Sequence, residues 1–294
     1  MTTPAILTAG LSKHYGSTIA LEGLDLEVAP GEVFGYLGPN GSGKTTTIRL
    51  LLGLARPTSG SASIHGIPVS DVRRAHRHVG YVAGDVALWP QLTGRETLDL
   101  LGNVSGGVDT GFRDELCERL GVDPSPRVRS LSKGTRQKIA LVAALMSRPD
   151  VLLLDEPTAG LDPLMEQEFQ QIAREAVARG QTLFLSSHIL DEVQDLCDRV
   201  GILRDGHLVE VASLADLREV GRTIVEVVIS GPVPSLDAVP GVSEVESVPG
   251  VPGGWRITVV GSPGPLLQRL AAFDVERLRT VEPSLEEIFL TYYA

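Results

Sequence analysis

The segment GPNGSGKTT, Gly38 to Thr46, sets a lysine and threonines directly behind a glycine-rich run. It fits the pattern G-x-x-x-x-G-K-[ST], in which glycines let the backbone wrap closely around an anion. Gly38, Pro39, Asn40, Gly41, Ser42 and Gly43 form the loop, and Lys44, Thr45 and Thr46 open a helix. The amides of that helix start and its positive dipole end both favour a phosphate. Lys44 is expected to bridge the β- and γ-phosphates of a nucleotide, and the Thr45 hydroxyl to bind Mg2+. A second chemical signal is VLLLDE, residues 151–156, in which four apolar residues lead into two carboxylates. Such a run is a central strand buried on both faces, and a carboxylate at its end is costly unless it meets a cation. Asp155 is therefore expected to hold Mg2+ through water. Glu156 is expected to act as general base on an attacking water, a role worth roughly 10² to 10⁴ in rate.

A second polar helix start stands between these two, in LSKGTRQKIALVAALMSRPD, residues 131–150. Ser132 and the amides near Gly134 offer donors there that are suited to a γ-phosphate. The phosphate loop, LSKGT, VLLLDEPT, AGLD and the His188 of LFLSSHILDEV occur in an order and spacing that resemble the ATP-binding subunits of ABC transporters, over about residues 5–212. The resemblance implies ATP and Mg2+ as ligands, ATP hydrolysis as the activity, and a second copy of the chain as a partner. In that family two copies pair head to tail, so that each ATP lies between one copy's phosphate loop and the other's signature. By the same pattern Asp162 crosses the interface, His188 contacts the γ-phosphate, and Tyr15 of SKHYG stacks on adenine. The resemblance also implies an integral-membrane permease as partner, docking on LWPQLTGRETLDLL, and a place on the inner face of the cell membrane.

Two departures stand out. Lys133 and Thr135 replace a glycine and the glutamine of the family's common LSGGQ, and LSKGTRQK together with EPSLEEIFLTYY resembles drug- and polysaccharide-exporting members of the ABC-2 type. Export is thus the implied direction. In YVAGDVALWP, residues 81–90, alignment on GYV and LWP puts Gly84 where the family usually has a glutamine near Mg2+. Asp85 is the candidate substitute metal contact, and a solvated loop carboxylate is the alternative.

The elements that must position these groups are legible in outline. Up to about residue 212, β-rich runs (AILTAGL, LDLEVA, VFGYLG, HVGYVA, VLLLDE, TLFLSS, VGILRDGHLVEV) alternate with helical patterns. The fold class is α/β, with a parallel central sheet, an antiparallel β flank and a helical subdomain at about 92–146. After Leu217 the texture turns valine- and proline-rich, and a βαββαβ order predicts a small ferredoxin-like α+β domain with a last helix over 284–293. The division expected is 1–219 for the ATP-binding domain and 220–294 for an accessory domain.

Composition excludes several classes. The 294 residues carry 37 acidic against 26 basic side chains, a net charge of -11, so no broad nucleic-acid footprint is expected. Two cysteines, Cys117 and Cys197, show no metal spacing and read as reduced thiols of a cytoplasmic protein. No apolar run approaches the ~20 residues that span a bilayer, so another chain supplies any crossing. His14, His65 and His207 are expected in turns without partners, and His76 and His78 at a solvated helix end. The rival functions are a soluble ABC ATPase acting on ribosomes or nucleic acid, and a regulator that binds ATP without hydrolysing it.

Overall fold

The computed structural model describes residues 3–219, 222–230, 235–236 and 238–281. The elements of its first part are β1 (Ile6–Tyr15), β2 (Thr18–Val28), β3 (Val33–Leu37), α1 (Lys44–Leu51), β4 (Ser59–Ile64), β5 (Ile67–Pro68), α2 (Val72–Ala75) and β6 (Val79–Val82). There follow α3 (Gly94–Val104), α4 (Thr110–Arg119), α5 (Lys133–Leu145), β7 (Val151–Asp155), α6 (Pro163–Ala178), β8 (Thr182–Ser187), α7 (Leu190–Leu196), β9 (Arg199–Arg204) and β10 (His207–Ser213). The chain divides into two compact units, residues 1–212 and 213–294, a few residues before the division expected after 219.

In the first unit a six-stranded sheet runs β10-β9-β3-β8-β7-β6, and a four-stranded antiparallel sheet runs β2-β1-β4-β5. β3 and β7 are buried at all five positions and β8 at all six, the burial of central strands covered on both faces. β6, β7, β8, β3 and β9 pair in parallel. Register then decides the chemistry. Leu37 lies beside Ser187 and Asp155 beside Ser186, so the carboxyl ends of β3, β7 and β8 open on one edge. Ligands of open α/β sheets bind at such an edge. The antiparallel flank is larger than the sequence suggests. β1 and β2 have ten and eleven residues, and β4, SGSASI, lacks the β-branched and aromatic run that marks a strand. Ile6, Leu11, Leu21, Leu24 and Ile64 of this flank share a core with Phe34, Tyr36, Ile48, Leu153 and Phe184.

The segment expected to be helical holds α3, α4 and α5. Thr93 and Glu96 start α3 with a reciprocal capping box, and Asp109 caps α4 by accepting from Gly111 and Phe112 amides. Arg119 on α4 reaches α6, donating Nε to Glu168 at 2.6 Å and two bonds to Glu175 at 2.7 and 2.9 Å. That fork fastens the helical insertion to the sheet-bearing core.

The second unit contains α8 (Leu214–Glu219), β11 (Arg222–Ser230), β12 (Val242–Ser247), β13 (Gly254–Val260), α9 (Gly264–Leu270) and β14 (Asp274–Val281). Its sheet has the order β12-β13-β11-β14 with every pairing antiparallel, the arrangement of a ferredoxin-like βαββαβ fold. Val225, Val227, Ile229, Ile257 and Val259 alternate onto one face and pack with Leu266 and Leu270 of α9. Of the short helix expected at 234–239, residues 234 and 237 lie outside the described residues, as does the whole helix expected over 284–293. Leu236 and Val239 join the core of this unit.

His65 stands in a turn with its Nε2 buried and without a hydrogen-bond partner among the described residues, and His76 and His78 stand at a helix end, as expected; His14 and His207 lie in strands instead and have partners. His14 lies in β1 and its Nε2 meets Glu22 Oε2 of β2 at 2.5 Å. His207 begins β10 and its Nδ1 lies 2.9 Å from the Asp205 carbonyl. His76 Nε2 is 2.7 Å from the Leu52 carbonyl, and His78 Nδ1 is 2.5 Å from Asp150 Oδ2. Among the described residues no helix is long and apolar enough to cross a membrane.

Candidate functional site

The loop between β3 and α1 is shaped by close approaches that only glycine permits. A Cβ on Gly38 would lie 2.4 Å from Ser42 Oγ and 2.5 Å from the Leu203 carbonyl. Gly43, at φ 114, begins α1 with no side-chain cap, and a Cβ there would meet the Ala20 carbonyl at 2.4 Å. The first turn of α1 therefore presents amides that no side chain of its own cap satisfies. Lys44 is buried, and its ammonium donates to the carbonyls of Gly38 at 2.5 Å and Pro39 at 3.1 Å. Burial lowers the Lys44 pKa, and the charges of Glu156 and Asp155 work against that shift. A cleft of about 150 Å³ opens here, lined by Ala20, Asn40, Gly41, Gly43, Lys44, Thr45, Thr46 and Glu156. Ser42 Oγ is buried with no hydrogen-bond partner among the described residues.

β7 delivers the carboxylates to this cleft. Thr45 Oγ1 donates to Asp155 Oδ2 at 2.8 Å, and Ser186 Oγ of β8 donates to Asp155 Oδ1 at 2.5 Å. Both oxygens of a carboxylate that is 3% exposed are thus engaged. The hydroxyl and carboxylate are hard oxygen donors, a pair that fits Mg2+. Glu156 takes a positive φ of 48, a left-handed conformation uncommon outside glycine. Its amide is held by the Ser186 carbonyl at 3.1 Å and by Ser186 Oγ at 3.2 Å. His188, just past β8, sets Nδ1 3.0 Å from Glu156 Oε1.

Ser132 caps α5, accepting from the Thr135 amide at 3.1 Å while its Oγ lies 2.8 Å from Thr135 Oγ1. Ser132 and Lys133 are exposed. Gly134 lets α5 approach the loop before α6, since a Cβ there would sit 2.5 Å from the Gly160 carbonyl. Asp162 caps α6 through the Met165 amide at 3.1 Å, is exposed, and lies 3.9 Å from Lys138 Nζ. Tyr15 ends β1 with 49% of its surface exposed and the Lys13 ammonium 4.7 Å above its ring.

The structure thus brings together the phosphate loop, Lys44, Thr45, Asp155, Glu156 and His188. Ser132, Gly134, Asp162 and Tyr15 do not line the cleft. Position 84 faces Asp155. A Cβ on Gly84 would lie 3.4 Å from the Asp155 carbonyl and 3.5 Å from Oδ2. Asp85 is exposed, and no hydrogen bond or ion pair joins it to Thr45, Asp155 or Glu156. Sequence reasoning missed two contributors, Ala20 and Ser186. Ser186 had a signal, the pair of hydroxyls Ser186 and Ser187 that closes the strand TLFLSS after its apolar run. Ala20 had none.

Known proteins share this fold. The ABC transporter family profile matches residues 21–159, and the profile of the C-terminal domain of DrrA1-3-like ATP-binding proteins matches 213–293. A profile described as an AAA domain, putative AbiEii toxin, overlaps at 126–193. The Nod factor export ATP-binding protein I of Burkholderia pseudomallei (strain K96243) is 34% identical over 95% of this chain and 94% of its own. The linearmycin resistance ATP-binding protein LnrL of Bacillus subtilis (strain 168) is 32% identical over 95% of each chain. Among solved structures, an ATP-binding subunit of an ABC transporter superposes with a TM-score of 0.68 at 31% identity, covering 73% of this chain and 92% of that one. The ATP-binding cassette MJ0796, a dimer in a post-hydrolysis state with ADP and Pi, superposes with a TM-score of 0.66 at 25% identity, covering 71% and 98%. The chain belongs to the family of ABC transporter ATP-binding proteins.

Proposed function

We propose that this chain binds ATP in the cleft between the phosphate loop and β7, hydrolyses it, and thereby drives export through a separate membrane permease. The observation that carries the reading is the joint between Thr45 and Asp155 at 2.8 Å, with Glu156 lining the same cleft as Lys44. Mg2+, held by Thr45 and Asp155, would neutralise charge on the terminal phosphates. Lys44 has loop carbonyls as its present acceptors and exchanges them for phosphate oxygens when ATP enters. Glu156 takes a proton from water as the water oxygen bonds to the γ-phosphorus, and the bond from that phosphorus to the bridging oxygen of ADP breaks. His188, hydrogen-bonded to Glu156 Oε1, orients that carboxylate and faces the γ-phosphate. Tyr15, exposed at the end of β1, supplies a ring for adenine.

Ser132 and Gly134 begin an exposed helix start and Asp162 an exposed cap, both outside the cleft of their own chain. They are therefore assigned to the ATP of a second copy, paired head to tail. ATP then joins the dimer and hydrolysis releases it. The segment 88–101, with α3, is the docking surface for the permease, which holds the chain on the cytoplasmic face of the membrane. Residues 220–294 form an accessory domain that contributes no catalytic group, and no nucleic acid takes part. The test is steady-state ATP hydrolysis with Mg2+ by the wild type and by Glu156→Gln. The reading requires turnover in the first and bound but unhydrolysed ATP in the second. Binding without turnover in the wild type would identify a regulator instead.

A further inference from the structure

Gln137 is a polar side chain on the buried face of α5, and 1% of its surface is exposed. Its neighbours on that face, Ala140, Leu141 and Ala144, are apolar, so the amide needs a specific partner. It finds one at the end of β7, where Nε2 donates to the Pro157 carbonyl at 2.9 Å and lies 3.4 Å from the Glu156 carbonyl. Glu156 is one of four non-glycine residues at positive φ in the described chain, and the only one of them that lines the cleft. A side chain bearing such a backbone keeps it only where the surroundings hold both of its peptides. Ser186 holds the peptide before Glu156, through its carbonyl and its hydroxyl. The carbonyl of the peptide after it accepts from the Ala159 amide at 3.1 Å and from Gln137 Nε2 at 3.4 Å, and Gln137 also holds the Pro157 carbonyl, one peptide further on, at 2.9 Å. No other side chain in the described residues donates to either carbonyl.

We propose that Gln137 is a positioning residue for ATP hydrolysis: its amide grips the carbonyls of Glu156 and Pro157, fixing the turn that leaves β7, and so aims the Glu156 carboxylate. The inference rests on the proposed role of Glu156 as general base. It adds a mechanical consequence, because Gln137 sits one turn along the helix that Ser132 begins. A nucleotide that engages the Ser132 end of α5 therefore pulls on the peptide of the base that serves the other nucleotide. The link passes through one amide and needs no rearrangement of the sheet. Gly134 reinforces it, since the absence of a side chain there keeps α5 against the Gly160 carbonyl.

The test is Gln137→Met in the full-length chain, a replacement of similar length that removes the donor. ATP affinity and the KM for ATP are expected to stay within about 2-fold, while kcat falls about 100-fold, the loss that misplacing a catalytic group brings. Gln137→Glu, which keeps the shape but sets an acceptor against two carbonyls, is expected to lose at least as much and covers the case in which the Met variant fails to fold. A kcat unchanged in a folded variant overturns the inference and leaves Glu156 as base. So does a parallel loss of kcat and ATP affinity, which marks a merely structural defect. Wild-type chain that binds ATP without turnover overturns the proposed function itself, and the positioning role with it.

Discussion

Two helix starts of the molecule are the ones proposed to meet phosphate, and they are built differently. α1 starts at a glycine in left-handed conformation with no side-chain cap, behind a buried lysine and beside a carboxylate whose two oxygens are already held. α5 starts at Ser132, whose hydroxyl is engaged by the amide and hydroxyl of Thr135, and it stands exposed outside the cleft at α1. On the proposed function one start is a complete cradle and the other is half of a site. The lesson is that a helix dipole alone does not make a phosphate site. The cradle also needs close backbone, a buried cation and a carboxylate, which on the proposed function α5 acquires only from a second copy.

Variants of the two starts break this comparison in order of severity. Lys44→Ala is expected to abolish hydrolysis and weaken ATP binding, since no other cation lines the cleft; equilibrium binding of a fluorescent ATP analogue checks it. Ser132→Arg is expected to lower turnover by about 100-fold, comparable to losing a clamp on the developing phosphate charge, while the monomer binds ATP as the wild type does. Equal losses of binding in the two variants would erase the distinction between cradle and half-site.

A finer contrast concerns position 84 and its neighbour. Gly84→Gln places a side chain against Asp155 and is expected to lower the Mg2+ concentration for half-maximal turnover. Asp85→Ala tests the substitute contact, and wild-type turnover across a full Mg2+ titration would leave the loop as a hinge. The smallest effect concerns the fork that carries α4. Arg119→Met is expected to lower the melting temperature by about 2–4 °C at neutral pH. The guanidinium of Arg119 holds the Glu175 carboxyl below its ordinary value. A depressed carboxyl pKa contributes stability that is present above the ordinary value and lost as pH falls through the folded one. The deficit of the variant therefore shrinks as pH drops below about 4, and thermal melts across pH 3–7 read it.

What the sequence showed depended on whether the signal was local. The phosphate loop, β7 and the carboxylates after it follow from residues adjacent in the chain, and each stands where that reading put it. The accessory sheet was legible because its strands alternate and its turns are rich in glycine and proline. β4 was not, because SGSASI forms a strand through pairing with β1 rather than through its own preference. The grip of Ser186 on Asp155 and of Gln137 on Pro157 joins residues 31 and 20 positions apart, and no periodicity announces such contacts. The left-handed backbone of Glu156 was equally silent, since nothing in its residue type calls for it.

The central claim is that the exposed start of α5 completes the cradle of another copy. Sedimentation velocity of Glu156→Gln with ATP and Mg2+ tests it most directly, because this variant binds nucleotide and cannot release the pair by hydrolysis. The account predicts a shift from the 31.3 kDa chain to a species of twice that mass, abolished when Ser132→Arg is added. A species that remains a monomer with ATP bound, or a dimer indifferent to Ser132→Arg, would contradict it.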